Sequence, residues 1–189
     1  MRRLILTENI TLDGVIEASG DWFGPGGSDP DADDSDILEE LKRQMAEERA
    51  LLLGRVTFEE FRGYWPARAG EPDGIGDHLN AVAKYVVSRT LGDPGWANTT
   101  VLRGPVEDEV RALKAGEGGP IGMTGSTALA RALTAAGLID EYRLFVYPVV
   151  IGGGTRLFPD GTRLPRLEPV RTERFRSGVV LLHYRADRG

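Results

Sequence analysis

The run ALLLGRVTFEEF, Ala50 to Phe61, constrains the fold more than any other stretch. Three consecutive leucines between Ala50 and Gly54 suit a strand buried on both faces, as the central strand of a sheet covered by helices must be. Gly54 has no Cβ, so a ligand or another backbone can come close to it. Arg55 and Thr57 fall in the first turn of the following helix, where unpaired N–H groups and the helix dipole favour an anion. Arg55 adds a permanent charge suited to phosphate. From these residues alone, a plain strand-to-helix turn with a solvated arginine reads equally well.

The remaining elements follow in order. Arg3–Thr7 is an apolar, β-rich run, and Thr11–Gly14 (TLDG) is a turn bent at Asp13-Gly14. From about Glu17 to Ser35 the chain reads as a long loop with Trp22 and Phe23 in GDWFGPGGS and five aspartates from Asp29 to Asp36. Loops of that length in a compact domain are more often functional than idle, and Trp22 and Phe23 are candidates for a lid over a ligand. The aspartates lack the Gly and Glu spacing of a calcium loop and read as a solvated lead-in. Ser35 or Asp36 caps a helix running to about Glu48, with Ile37, Leu38, Leu41 and Met45 on its apolar face. Past the helix that opens at Arg55 come a short helix (His78–Ala83) and strands at Lys84–Ser88 and Thr99–Arg103. A helix (Val106–Ala115) and a short strand (Pro120–Met123) follow. Thr124-Gly125-Ser126 then opens another helix. A long strand begins at Glu141, and Glu168–Phe175 with Val179–Arg185 makes a hairpin turned at Ser177-Gly178. Phe58 belongs in the core; Phe61 and Trp65 suit either the core or a substrate cleft. His78 reads as a surface residue and His183 as a structural residue of the sheet.

Strands alternate with helices to about residue 140 and then predominate, which predicts a mostly parallel sheet with antiparallel strands added last. Three strand ends carry Arg, Ser or Thr: GRVT from Gly54, SRT from Ser88 and TGST from Thr124. Ligands of open α/β sheets gather beyond the carboxyl ends of the strands, so the recurrence favours a nucleotide. Neither GxGxxG nor GxxxxGK[ST] occurs. A chain of 189 residues suits a single domain, and a net charge of −6 argues against a nucleic-acid partner. Having no cysteine, the chain can form neither a disulfide nor a thiolate metal site, and two histidines far apart make no metal centre. The N-terminal apolar run is too short for a signal peptide and no run approaches the ~20 residues that span a bilayer, so the expected location is the cytoplasm, away from membranes.

These residues also carry a resemblance. TLDG, LLLGRVTFEEF, VVSRT, MTGSTALARAL, GLIDEYRLFVYPVVIGGGTRLF and the closing hairpin occur in the order found in the dihydrofolate reductase superfamily. The branch they resemble holds the C-terminal reductase domain of riboflavin-biosynthesis enzymes (RibD C-terminal-like). The match spans nearly the whole chain; LIDE with its following strand and Gly-rich turn is the most specific part, and GRVTFE the next. The resemblance implies an α/β fold with a mostly parallel central sheet of about eight strands, flanking helices and a C-terminal antiparallel hairpin, binding NADPH. Gly54, Arg55 and Thr57 would hold the pyrophosphate and adenosine-ribose phosphates. Ser88 and Arg89, with Thr90 beside them, would hold the 2′-phosphate. Gly125, Ser126 and Thr127 would receive the pyrophosphate, and Asn9 and Ile16 would flank the nicotinamide. Thr124 stands where the family commonly has a first glycine. Asp13 and Asp36 are the candidate proton-donating acids, and Trp22, Phe61 and Trp65 the candidate substrate-lining residues. The implied activity is hydride transfer to a small pterin-like or ribosylaminopyrimidine-like heterocycle, or to a carbonyl, by an enzyme that pairs as a homodimer. A nucleotide-binding protein without turnover is the alternative, and a flavin or deazaflavin in place of NADPH a third.

Overall fold

The computed structural model describes residues 1–17, 22 and 33–187. Among them, β1 (Leu4–Thr11), β2 (Ala50–Gly54), β3 (Ala83–Val87), β4 (Thr99–Leu102), β5 (Ile121–Met123), β6 (Glu141–Tyr147), β7 (Leu167–Arg174) and β8 (Val180–Ala186) form one eight-stranded sheet. Its order is β4-β3-β2-β5-β1-β6-β8-β7. The first six strands are mutually parallel, and β8 runs antiparallel between β6 and β7. Five helices accompany the sheet: α1 (Ser35–Glu47), α2 (Arg55–Tyr64), α3 (Ile75–Ala81), α4 (Val106–Ala115) and α5 (Thr127–Ala135). The fold class expected from the sequence is the one observed. No helix among the described residues is long and apolar enough to cross a membrane.

The period-2 alternation of the strands sorts the core onto two faces. On one face Leu4, Leu6, Leu52, Ile121, Met123 and Tyr142 pack with Val110 of α4 and Ala130 and Leu133 of α5. The other face carries two separate apolar clusters. Leu51, Leu53 and Val86 pack with Phe58 of α2 and Leu79 of α3, while Phe145 and Leu181 pack with Phe175, Ile37 of α1 and Trp22. Between those clusters the register places Gly122, Ile5, Thr7 and Arg143 on the same face, so the hydrocarbon is interrupted at mid-sheet.

Several expectations change. Trp22, expected as a lid residue at the substrate, is a core residue: it is buried and meets Tyr147 edge-on at 5.5 Å. Phe23 and most of the proposed lid lie outside the described residues. Helix α1 has Asp34 at its N-cap with no side-chain cap bond. Asp36 sits inside the first turn, and its carboxylate accepts the Arg176 N–H (2.9 Å) from the β7–β8 turn, tying the hairpin to the helix start. The buried face of α1 includes Glu40 and Gln44 as well as Ile37. Burial alone pushes the Glu40 carboxyl up, but hydrogen bonds from Arg43, Gln44 and Arg171 outweigh it and bring it to about 2. Strand β6 stops at Tyr147 because Pro148 has no N–H to continue the ladder. Helix α3 starts earlier than expected, after Gly74 at φ 71° and with the Asp73 carboxylate accepting the Ile75 N–H at 2.9 Å.

Glu141 binds the two ends of the chain into β6. Fully buried, it accepts Arg3 Nη1 at 2.6 Å and lies 3.0 Å from His183 Nε2 and 3.5 Å from Arg185 Nε. Burial raises its carboxyl, and the hydrogen bonds from His183 and Arg3 lower it further, to about 2. A carboxyl depressed on folding contributes stability above its unfolded value near 4.5 and loses it as pH falls toward 2. That stabilisation is about 3 kcal/mol at neutral pH. Glu141→Gln should therefore lower unfolding stability by about that amount at pH 7 in urea melts. The gap to wild type should narrow as pH falls from 5 to 2.5.

Candidate active site

Strand β5 is three residues long. It pairs with Leu4–Leu6 of β1 and Ala50–Leu52 of β2, and the chain leaves the sheet at Thr124. Beyond that point β1 and β2 continue with no strand between them, and a notch opens at the carboxyl edge of the sheet. This is where the strand order reverses, the position at which open α/β sheets bind ligands.

The two turns that wall the notch are locked to each other. The Gly54 N–H donates to Ser126 Oγ (2.9 Å), and the Ser126 N–H donates to Thr57 Oγ1 (2.9 Å). Gly125 and Ser126 both adopt left-handed backbone, with φ of 57° and 50°. A Cβ on Gly125 would lie 3.0 Å from Thr57 Cγ2, so both conformation and space favour the glycine. Thr124, where the sequence departs from two successive glycines, has no positive φ. Since both hydroxyl oxygens accept backbone N–H groups, their own hydrogens stay available to a ligand. Helices α2 and α5 begin here without side-chain caps, and their first N–H groups are unpaired within the helices.

The resulting groove measures about 680 Å³ and is lined by Asn9, Ile16, Gly54, Arg55, Thr57, Thr124, Gly125, Ser126 and Thr127, together with Glu8, Glu17 and Glu60. Arg55 is exposed and paired with Glu59 at 2.6 Å. Ser88, Arg89 and Thr90 do not line this groove. They follow β3, whose Val87 pairs with Gly54, so they stand level with Arg55 on the neighbouring strand end. The Ser88 hydroxyl accepts the N–H groups of Thr90 (3.2 Å) and Leu91 (2.9 Å), a turn-forming role, while Arg89 is exposed.

A second, smaller cavity of about 180 Å³ lies on the interrupted face between α1 and the sheet. Phe61 and Trp65 line it, in edge-to-face contact at 6.3 Å, with Leu41, Met45, Thr7, Gln44 and Arg143. Phe61 and Thr124 line both cavities, so the two share a wall. At the far side Glu48 packs over Gly122, where an added Cβ would come within 1.3 Å of Glu48 Oε1. Glu48 Oε2 lies 2.7 Å from His78 Nε2. His78 is thus a half-buried partner of a carboxylate at a cavity, not the surface residue its sequence context suggested.

Neither candidate acid lines either of these two cavities. The Asp13 carboxylate accepts Thr11 Oγ1 (2.6 Å) and the N–H groups of Gly152 (2.8 Å) and Ile151 (3.3 Å). Led by the Thr11 bond, these hold it at about 2. Asp13 therefore fastens the TLDG turn to the Gly-rich segment, where Ile16 N–H donates to Thr155 O (2.9 Å), and this positions Ile16 at the groove. Asp36 is committed to the hairpin, as described above.

Of the three acids that line the groove, Glu17 and Glu60 are exposed and Glu8 is buried, at 5% exposure. Burial pushes its carboxyl well above the usual range, against a smaller opposing effect from the Gly125 N–H directed at it. The sequence held a signal for it. Leu4, Leu6, Glu8 and Ile10 occupy alternate positions on one face of β1, and Glu8 alone breaks the apolar series.

A mostly parallel sheet opened by one short strand, with two helix starts clamped across the opening, defines an α/β protein of the dihydrofolate-reductase type. The chain belongs to the RibD C-terminal domain family, which it matches over residues 2–181. It is 33% identical over 189 residues to the uncharacterized protein YyaP of Bacillus subtilis (strain 168), covering 97% of this chain and 94% of that protein. To the uncharacterized protein YwjB of the same organism it is 24% identical over 188 residues, covering 98% and 99%. In structure it is similar to a Shewanella sp. PV-4 protein named for riboflavin biosynthesis, with a TM-score of 0.70 at 19% identity over 98% and 99% of the two chains. A pyrimidine reductase-like protein from Corynebacterium diphtheriae gives 0.64 at 16% identity, over 100% and 93%.

Two variants test this site without any ligand. Thr57→Val removes the acceptor of the Ser126 N–H and should cost about 1–3 kcal/mol in thermal or urea unfolding. Glu8→Gln removes a carboxyl that is raised on folding, whose stabilising contribution is complete below about pH 4.5 and declines as pH rises toward the folded value. The variant should match wild type in melting temperature near pH 4 and exceed it at pH 8.

Proposed function

We propose that this protein is an NADPH-dependent reductase acting on a small, flat heterocycle or carbonyl compound. The observation that carries the reading is the shared wall. A groove with the volume and donors for a dinucleotide adjoins, through Phe61 and Thr124, an apolar cavity the size of a small ring. The residues present fit such a cofactor: two uncapped helix starts, three hydroxyls (Thr57, Ser126 and Thr127) and Arg55 offer donors to phosphate oxygens. When bound, the cofactor would supply a hydride.

The chain's own residues would bind and align. Arg55 and the starts of α2 and α5 would hold the pyrophosphate, and Arg89, free of the groove at the next strand end, the 2′-phosphate. Phe61, Trp65 and Met45 would sandwich the substrate ring against the sheet, while Gln44, Thr7 and Arg143 read its polar edge. Reaction rate would then derive chiefly from positioning. The absence of Asp13 and Asp36 from both cavities favours one other reading, a nucleotide-binding protein without turnover.

Titration with NADPH and NADH, followed by nicotinamide fluorescence, tests the cofactor. NADPH should bind more tightly, and Arg89→Ala should bring its affinity toward the NADH value, a loss of about 10–100-fold for one charge-assisted contact. Failure of both nucleotides to bind overturns the reductase reading. NADPH binding without oxidation across a panel of pterins, aminopyrimidines and carbonyl compounds supports the non-catalytic one.

A further inference from the structure

Glu8 is the one carboxylic acid of β1's apolar face, where its carboxyl faces the Gly125 N–H. Its neighbours at alternate positions, Leu6 and Ile10, belong to the main core cluster. Glu8 is 5% exposed, and its Oε1 is sealed from water with no hydrogen-bond partner among the described residues. A buried, unpaired polar oxygen is costly, and an apolar residue of similar size would avoid the cost. Glu8 nevertheless lines the 680 Å³ groove, with its carboxyl facing the Gly125 N–H of the clamped turn and Asn9 next in sequence.

We propose that Glu8 is a ligand-reading residue whose carboxyl pairs with the primary carboxamide of the nicotinamide ring. This rests on the reading of the groove as a nicotinamide nucleotide site. A carboxylic acid presents one O–H donor and one C=O acceptor side by side, and a primary amide presents the complementary pair. The desolvated surroundings raise the Glu8 carboxyl well above the usual range and so favour that protonated form. Pairing would require the carboxyl to turn about its last side-chain torsion, which is broad in glutamate, so that Oε1 leaves its sealed position. The backbone of β1 fixes the carboxyl's height in the notch, so the contact would also set the depth and rotation of the ring relative to the smaller cavity.

The test compares NADPH with its reduced 3-acetylpyridine analogue, which keeps the carbonyl oxygen but lacks the amide N–H groups. Calorimetric affinities are measured for wild type, Glu8→Gln and Glu8→Leu. Wild type should prefer NADPH by about tenfold, the worth of one buried hydrogen bond. Glu8→Gln, which retains a donor and an acceptor, should keep the preference, and Glu8→Leu should reduce it to within about twofold. A second readout needs no apolar variant. The carboxylic C=O stretch that Glu8→Gln removes from the infrared spectrum should shift when NADPH is added to wild type. Tight NADPH binding with an unshifted band, or with the same preference in Glu8→Leu, overturns the proposal and leaves the nucleotide site standing. Absence of binding to wild type overturns both.

Discussion

The site depends on a pair of hydrogen bonds exchanged between two strand-to-helix turns. Gly54 and Ser126 are 72 residues apart in sequence, and the bonds Gly54 N–H to Ser126 Oγ and Ser126 N–H to Thr57 Oγ1 close the gap that a three-residue β5 leaves in the sheet. A longer β5 would fill the notch with backbone. A turn lacking these hydroxyls would leave two part-buried N–H groups without these partners and remove the ties between the helix starts. The left-handed pair at Gly125 and Ser126 bends the chain sharply enough for both bonds to form, and a side chain at Gly125 would crowd Thr57.

The second face of the sheet shows how a cavity survives inside a packed domain. Two apolar clusters flank it, and between them the face presents Thr7, Gly122 and Arg143. Arg143 is buried and reaches Glu47 at 2.9 Å, while Glu40 is held by Arg43, Gln44 and Arg171. Charges in such a place need partners, and the partners fix α1 above the sheet at a set distance instead of letting it collapse. Hydrocarbon at these positions would favour closure of the space.

How much of this could be read beforehand follows from the range of the interactions concerned. Elements with strong local patterns, such as the leucine strand β2 and the helix from Val106, appear where the sequence puts them, and the three hydroxyl- and arginine-bearing strand ends do lie along one edge. Trp22 could not be placed, because its burial depends on Tyr147 and the Phe175 turn, more than a hundred residues away. Asp13 and Asp36 looked chemically available only because their partners, the Gly152 and Arg176 N–H groups, are equally remote. His78 gave no local sign of Glu48. Glu8, by contrast, is visible as a break in a period-2 series.

Glu141 has a practical consequence. Ile5 of β1 and Arg185 of β8 are both its register partners, one on each side. Residues 5 and 185 therefore lie about 10 Å apart, two strand spacings, at the amino edge of the parallel strands. The groove lies at the opposite edge. An affinity handle or reporter domain joined ahead of Leu4 or after Ala186 leaves the sheet on the side away from the notch, so the chain can be anchored to a surface by either end with its ligand edge turned outward. Traction applied through both ends at once would peel β1 and β8 from β6 one hydrogen bond at a time, the direction in which a sheet resists least.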